Sequence, residues 1–297
     1  MQRVLAVLVI AGVVGTLGAK PVSHRGYTYH VTAGRVEMTT GATVTRLHAS
    51  GGVTMVGAKG ETMKAASADF DIRRPPAKAP KPAAKPDEKK TSTDGGKAPE
   101  KYETAKQSLS SFKVSFKREN IRNIALSGGV TYRTATDSID ASRLASADGG
   151  NVWHASGSVR VESHRKDAGG QGLFTCESDR ADFNTETRAA TASGNVRITE
   201  TSGANTVHAH AGKAEYSPKS DIVALTLSPR VEYQDVRLEA DKITVERAGA
   251  RMVATGNPAI TKGASKMTGE RIVVTRKNGK FVVDVQGQKE TTFEVGR

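Results

Sequence analysis

Ala192-Ser193-Gly194-Asn195-Val196-Arg197-Ile198 is the most informative segment of this 297-residue chain, because related heptapeptides recur along it. We interpret each copy as a Gly-containing turn that feeds a strand in which apolar and polar residues alternate. Strict alternation predicts that one face of each strand is buried. The other copies are Ala49–Met55, Leu126–Tyr132 and Ala155–Val161, with variants at Leu227–Tyr233 and Ala254–Ile260.

A second phrase follows each of these copies and spaces its apolar residues differently. Met63 and Ala65 are two positions apart, and Ala68 and Phe70 form another such pair that begins three positions after Ala65. A plain strand would place the two pairs on opposite faces, so each repeat is predicted to bend at the small residue between them. A stack of such bent units predicts an all-β, twisted, jellyroll-like trough with an apolar interior. The same spacing recurs at 139–146, 176–183, 209–216, 238–245 and 267–274.

These residues also resemble a known family. The segments Ser193–Ile198, Ala211–Pro218, Leu238–Ile243 and Thr255–Pro258 are similar to the OstA-like domain of periplasmic lipopolysaccharide-transport proteins, the LptA and LptC group. The resemblance implies a periplasmic β-jellyroll whose apolar interior shelters the acyl chains of lipopolysaccharide. It also implies sheet edges that join end to end with partner jellyrolls. The chain departs from the family pattern in its length, its extra repeats and its Lys/Pro/Ala insertion.

Four segments are predicted along the chain. In residues 1–19, Arg3 precedes an uncharged run from residue 4 to residue 19, which predicts an export signal that is either removed or retained as a membrane anchor. Residues 20–72 are predicted to form an N-terminal β repeat unit, and residues 111–297 the main jellyroll domain. Between them, residues 73–110 are rich in Lys, Pro and Ala and are predicted to be a disordered basic linker.

The net charge of +13 favours anionic partners such as phosphorylated lipids or acidic glycans. Nucleic acid is disfavoured, because the chain lacks clusters of aromatic residues for base stacking and shows no DNA-reading helix. The single cysteine, Cys176, occupies an apolar repeat position, and His208 with His210 has no evident third metal ligand. We therefore predict a protein that is not an enzyme and that uses no cofactor or metal.

The inward-facing residues of the repeats are predicted to line a trough that binds lipid. Each buried methylene would contribute about 0.8 kcal/mol. The same alternation is typical of a dry core, so periodicity leaves both interpretations open. The predicted lining residues are Val130, Tyr132, Val159, Val161, Phe183, Val196, Ile198, Tyr216, Val231, Tyr233, Ile243 and Ile272.

Basic residues recur next to the predicted bend in five repeats, at Arg143, Arg180, Lys213, Lys242 and Arg271. They are predicted to form a ladder along one edge or rim, where they would hold lipid phosphates. The alternative is a solvated face balanced by neighbouring Asp and Glu residues.

The terminal strands near 27–38 and 281–295 are predicted to add to the sheet edges of other jellyroll proteins or of a second copy. The sequence thus predicts periplasmic binding and transfer of lipopolysaccharide or a similar amphipathic lipid, bridging the envelope membranes. A structural or polysaccharide-binding β-solenoid of the cell envelope is the alternative.

Overall fold

The computed structural model describes residues 28–41, 43–57, 60–73, 104–105, 112–117, 120–147, 151–167, 170–184, 186–202, 205–246, 251–277, 280–287 and 290–292. Over these ranges the chain forms antiparallel β-strands, as predicted. None of the described residues belongs to a helix long and apolar enough to cross a bilayer. The predicted signal or anchor lies outside the described residues, as does most of the predicted linker.

The described strands form one sheet of 22 strands. They are β1 (Thr28–Ala33), β2 (Arg35–Thr40), β3 (Val44–Val56), β4 (Thr62–Arg73), β5 (Thr104–Ala105), β6 (Phe112–Lys117), β7 (Ile121–Arg133), β8 (Asp137–Ala147), β9 (Val152–Asp167), β10 (Gly170–Asn184), β11 (Ala190–Ser202), β12 (Asn205–Ser217), β13 (Ile222–Thr226), β14 (Arg230–Tyr233), β15 (Val236–Glu239), β16 (Lys242–Glu246), β17 (Arg251–Thr255), β18 (Ala259–Lys262), β19 (Ser265–Thr268), β20 (Arg271–Lys277), β21 (Lys280–Gln286) and β22 (Glu290–Thr292).

A corner interrupts the pairing in the middle of each long strand. Between β3 and β4, Ser50 pairs with Ser67 and Val53 pairs with Ala65, so two glycines on β3 lie opposite one residue on β4. This two-against-one arrangement is a β-bulge, and it bends the ribbon. Toward the C-terminus two short strands take the place of each long strand. For example, β13 and β14 pair with β12 on the two sides of its corner.

The recurrent glycines lie at these corners, inside the strands β3, β7, β9 and β11. Gly51 and Gly52 adopt φ values of +76° and +82°, a left-handed conformation that glycine reaches without steric cost. For these four copies the interpretation as turns that precede the strands is therefore wrong, whereas Gly256 lies between β17 and β18 and precedes a strand as predicted. The equivalent corner residues with positive φ are Gly128–Gly129, Gly157–Ser158, Gly194–Asn195, Leu227–Ser228 and Gly256–Asn257.

The corners divide the sheet into two arms. Arm A contains β1, β6, β14, β15, β18, β19 and β22, and arm B contains β2, β5, β13, β16, β17, β20 and β21. Each of the long strands β3, β4 and β7 to β12 contributes one half to each arm. One continuous cluster of buried residues spans both arms, so the apolar faces of the two arms pack on a shared core.

The predicted bend, which places both apolar pairs of a repeat on one face, is confirmed by burial. In the repeats that begin at Met63, Ile139, Cys176 and Ala209, both inward pairs are buried on either side of the corner. In the last two repeats Ala240 and Met267 are half-buried and pack against the same core. The bend at the small residue therefore keeps both pairs on the inner face, and the all-β bent-repeat fold is confirmed.

The two ends of the ribbon differ from the prediction in one respect. β1 and β2 pair with β3 on one side and with β6 and β5 on the other, so the stretch 28–38 lies inside the sheet. The prediction that this stretch is an open edge is wrong, because a strand from the insertion returns to cover it. At the other end β21 and β22 are the outermost described strands, and both overlap the predicted stretch 281–295.

The sheet is also continuous between the predicted N-terminal unit and the predicted main domain. β4 pairs with β7 from Thr62 opposite Arg133 to Ile72 opposite Ile121. The insertion between these strands supplies β5 and β6 at the far edge. The division into separate domains remains a prediction.

Candidate functional site

The predicted trough residues lie on the inner faces of both arms, and most are fully enclosed by the core. All are buried except Tyr233, which is half-buried. Val231 and Tyr233 also border an open cavity near the C-terminal end of the ribbon. The other ten residues belong to the buried core cluster.

This C-terminal cavity has a volume of ≈ 410 Å³ and lies between the two arms. Nine of its fourteen lining residues are apolar. Such a cavity is of the size and character that binds an apolar ligand. The lining residues are Val231, Tyr233, Gln234, Asp235, Val236, Leu238, Ile260, Thr261, Lys262, Ser265 and Met267 from arm A, and Met252, Val274 and Val283 from arm B.

The polar lining residues show where the cavity opens. Gln234 and Asp235 form the turn between β14 and β15, and Lys262 and Ser265 border the turn between β18 and β19. Both turns lie at the tips of arm A, away from the corner. The mouth is therefore polar and lies on the side of the jellyroll opposite the corners.

The sequence creates this cavity by a change in side-chain size. The inward positions of the earlier repeats include Phe70, Trp153, Phe174 and Phe183, whose large rings fill the space between the arms. From β13 to β20 the inward residues are Val, Leu, Ile, Met and Ala, with Tyr233 as the one aromatic residue among those described. The loss of inward aromatic residues in the last repeats was the sequence signal for the cavity, and our sequence reasoning missed it.

The predicted basic residues share one row of the sheet. These basic residues lie on the outer face of arm B, one residue past the corner. Each of them directly opposes a serine, threonine or glutamine on the two neighbouring strands. The row contains no acidic residue among the described positions. In order it reads Arg35, Ser50, Ser67, Ser127, Arg143, Ser156, Arg180, Ser193, Lys213, Thr226, Lys242, Thr255, Arg271 and Gln286.

This basic row follows the corner, whereas the cavity opens at the tips of arm A. Lys213 forms an ion pair of 2.7 Å with Glu215, one of the acidic neighbours expected for a solvated face. Lys242 and Arg271 form no ion pair with any described residue. The cation at the cavity mouth is instead Lys262, which is exposed and which the sequence reasoning did not select.

The remaining candidate groups are Cys176 and the pair His208 and His210. Burial raises the pKa of the Cys176 thiol to about 12, which keeps it protonated and unreactive. His208 Nδ1 lies 3.2 Å from Thr199 Oγ1 on the outer face of arm A. Burial and the nearby Arg230 lower the pKa of His210. No group of three or more His, Cys, Asp or Glu side chains capable of holding a metal occurs among the described residues.

No protein-family model matches this chain, and no curated protein matches it. Among solved structures it is similar to LptH, the LptA-homologous periplasmic component of the lipopolysaccharide transport device from Pseudomonas aeruginosa. The similarity has a TM-score of 0.33 and 14% sequence identity, and it covers 38% of this chain and 82% of LptH. We therefore infer function from the cavity and its lining residues.

Proposed function

We propose that this chain binds an acyl chain of lipopolysaccharide, or of a similar amphipathic lipid, in the cavity between its arms. The observation that carries the proposal is the apolar lining of a cavity whose mouth is polar. An amphipathic lipid has the same division, with a hydrocarbon tail that gains about 0.8 kcal/mol per buried methylene and a headgroup that stays hydrated.

The position of Lys262 favours a lipid with an anionic headgroup. Its side chain is exposed at the mouth, on the same pair of arm A tips as Gln234 and Ser265. An ammonium group can bind a phosphate or carboxylate oxygen through a charge-assisted hydrogen bond. Asp235 lies at the same mouth, so the headgroup would approach from the side of Lys262, where like-charge repulsion is smaller.

We propose a role in transfer at the cell envelope, in the periplasm. The apolar run of residues 4–19, preceded by Arg3, is the support for export and for membrane association. In this role the protein bridges the envelope membranes and passes lipid on without making or breaking a bond. It is therefore proposed to be a carrier and not an enzyme.

Photocrosslinking in cells that make lipopolysaccharide tests the proposal. A photoreactive residue at Tyr233 or Val274 faces the cavity from arm A or arm B, respectively. The matched controls are Glu232 and Thr275, which are chain neighbours of these residues on the opposite face of the same strands. We expect lipid adducts at Tyr233 and Val274 and none at Glu232 and Thr275.

The same experiment separates the cavity from the packed core. A photoreactive residue at Ile198, which is 2% exposed, is expected to give far fewer lipid adducts than one at Tyr233. Absence of adducts at both Tyr233 and Val274 would contradict lipid binding and leave a structural or glycan-binding envelope protein as the better interpretation.

A further inference from the structure

One row of residues on the outer face of arm A alternates in charge from strand to strand. Opposite charges on adjacent strands stabilise a sheet, so this alternation is expected of a solvated face. The alternation fails at His210, which directly opposes Arg197 on β11 and Arg230 on β14. We call these three residues the basic triplet. In order the row reads Asp140, Arg160, Glu177, Arg197, His210, Arg230 and Glu239.

The two acidic residues that flank the basic triplet in this row are paired with other arginines. Glu177 accepts a hydrogen bond of 3.0 Å from Arg160 Nη1, on the side away from the triplet. Glu239 is likewise paired with Arg237 of its own strand. Arg197 is exposed and forms no ion pair or side-chain hydrogen bond with any described residue. Its guanidinium donors are therefore free to bind an anion.

Glu232 is the acidic residue that points toward the triplet. Its Oε1 lies 3.2 Å from Arg230 Nε, but at an angle that leaves this enclosed N–H without an acceptor. Arg230 donates no hydrogen bond to any other described residue. The triplet therefore carries more positive charge and more unused donors than the neighbouring carboxylates satisfy.

A depression with a volume of ≈ 400 Å³ lies on the outer face of arm A beside the triplet. Arg197 and His210 line it together with His208, and two threonine hydroxyls and the ion pair of Arg160 with Glu177 complete its polar lining. Guanidinium, imidazole and hydroxyl groups can all donate hydrogen bonds to an oxyanion. The depression is on the opposite side of the sheet from the C-terminal cavity, so a ligand here is separate from one between the arms.

We propose that the basic triplet and this depression bind a phosphate monoester. Arginine matches phosphate oxygens with paired donors, and a phosphate monoester carries about two negative charges at neutral pH. Arg197 and Arg230 are two strands apart, about 10 Å between their backbones, which allows both side chains to reach one phosphate above His210. The ligand would supply the negative charge that the alternating row lacks at this position.

Protonation of His210 is expected to strengthen this binding. Burial and then the charge of Arg230 lower the pKa of His210, and Arg197 and His208 add to the lowering. Glu232 acts in the opposite direction and only partly offsets them. The imidazole is therefore mainly neutral at neutral pH in the free protein. A bound dianion stabilises the imidazolium, so the affinity for the anion should rise as the pH falls toward the pKa of His210.

Titration of the full chain with inorganic phosphate, followed by NMR of the histidine rings, tests the site. Arg197→Gln is expected to weaken binding about tenfold, and Arg230→Gln should have a similar effect from the other side of β12. The matched control is Arg133→Gln, because Arg133 lies on the same face of arm A but is paired with Asp140 at 2.8 Å. Equal affinity of the parent chain and all three variants, or no phosphate binding by the parent, would overturn the proposal.

Sulfate separates protonation of the protein from protonation of the ligand, because sulfate stays fully ionised near neutral pH. Its binding is expected to raise the pKa of His210, followed through the ring resonances. The internal control is His154, which lies 2.6 Å from Asp182 on arm B and whose ring resonances should not move with sulfate. An unchanged pKa of His210 in saturating sulfate, or equal movement of the His154 resonances, would overturn the proposal.

Vesicles distinguish the two sources of a phosphate monoester, a soluble compound and a lipid headgroup. The full chain is mixed with phosphatidylcholine vesicles prepared with and without phosphatidic acid, whose headgroup is a phosphate monoester. If phosphatidic acid increases binding for the parent and Arg133→Gln but not for Arg197→Gln, the ligand is a lipid headgroup. If phosphatidic acid affects all three chains equally while inorganic phosphate still distinguishes them, the ligand is a soluble phosphate.

Discussion

Asn195 Nδ2 donates a hydrogen bond of 3.0 Å to Asp179 Oδ2, which joins the corner of β11 to the corner of β10. The same contact recurs at 3.2 Å from Asn257 Nδ2 to Asp241 Oδ2, between the corner after β17 and the corner before β16. Both asparagines have positive φ, a conformation that asparagine tolerates better than most residues. Each asparagine therefore shapes its own corner and fastens it to the neighbouring repeat.

Substitution of Asn195 is expected to separate these two contributions. Asn195→Gly keeps the left-handed conformation and loses the amide–carboxylate hydrogen bond, which should lower the free energy of unfolding by about 1 kcal/mol. Asn195→Ala also adds backbone strain of about 1 kcal/mol and should be the less stable variant. Urea denaturation checks the order, and equal stability of the two variants would contradict the role of the backbone conformation.

The glycine that precedes this asparagine is expected to be more sensitive than a corner glycine with open space. A Cβ on Gly194 would clash with Asp179 Oδ2 and lie 2.8 Å from Asp179 Cβ, whereas one on Gly52 would meet no atom within 4 Å. Both residues have positive φ, so both alanine variants carry backbone strain. Thermal unfolding should show a larger loss of stability for Gly194→Ala than for Gly52→Ala, and the reverse order would contradict the described packing.

The insertion strand is expected to be trapped in place by a designed disulfide. His30 and Ser115 are register partners on β1 and β6, and His30 Nδ1 lies 2.8 Å from Ser115 Oγ. The double variant His30→Cys, Ser115→Cys should form an intrachain disulfide, detected by mass spectrometry after proteolysis under non-reducing conditions. Bridging between chains instead of within one would show that β6 does not cover β1 of its own chain.

Binding of an anionic lipid is expected to depend on the cavity mouth and not on the basic row. Lys262→Gln removes the cation at the mouth and should weaken binding of purified lipopolysaccharide about tenfold, because a charge-assisted hydrogen bond contributes about 1.5 kcal/mol. Lys242→Gln is the matched control in the basic row on the corner side. A larger loss for Lys242→Gln would instead assign lipid phosphates to that row.

Cys176 is expected to be inert in the folded protein. Its thiol is buried and its pKa is raised to about 12, so little thiolate exists at pH 8. Iodoacetamide should label Cys176 slowly in buffer and completely in denaturant, measured by mass spectrometry. Rapid labelling under native conditions would contradict the packing of β10 against the core.

The corners were predictable from the spacing of apolar residues. Met63, Ala65, Ala68 and Phe70 share one face only if the strand bends between the pairs, and the structure buries all four. The location of the glycines was not predictable in the same way, because a glycine with positive φ serves a turn and a bulge equally well. Which of the two it forms depends on pairing with a strand elsewhere in the sequence.

The all-β class, the inner face of each strand and the bend in every repeat follow from local side-chain periodicity, so the amino-acid sequence was sufficient to predict them. That β6 covers β1 is visible only in the folded chain, since strand order depends on pairing between segments far apart in the chain. The folded chain also decides where the core opens into a cavity, because free volume depends on how side chains from both arms fill the space between them. The basic row likewise became one continuous feature only when sheet register aligned residues from separate repeats.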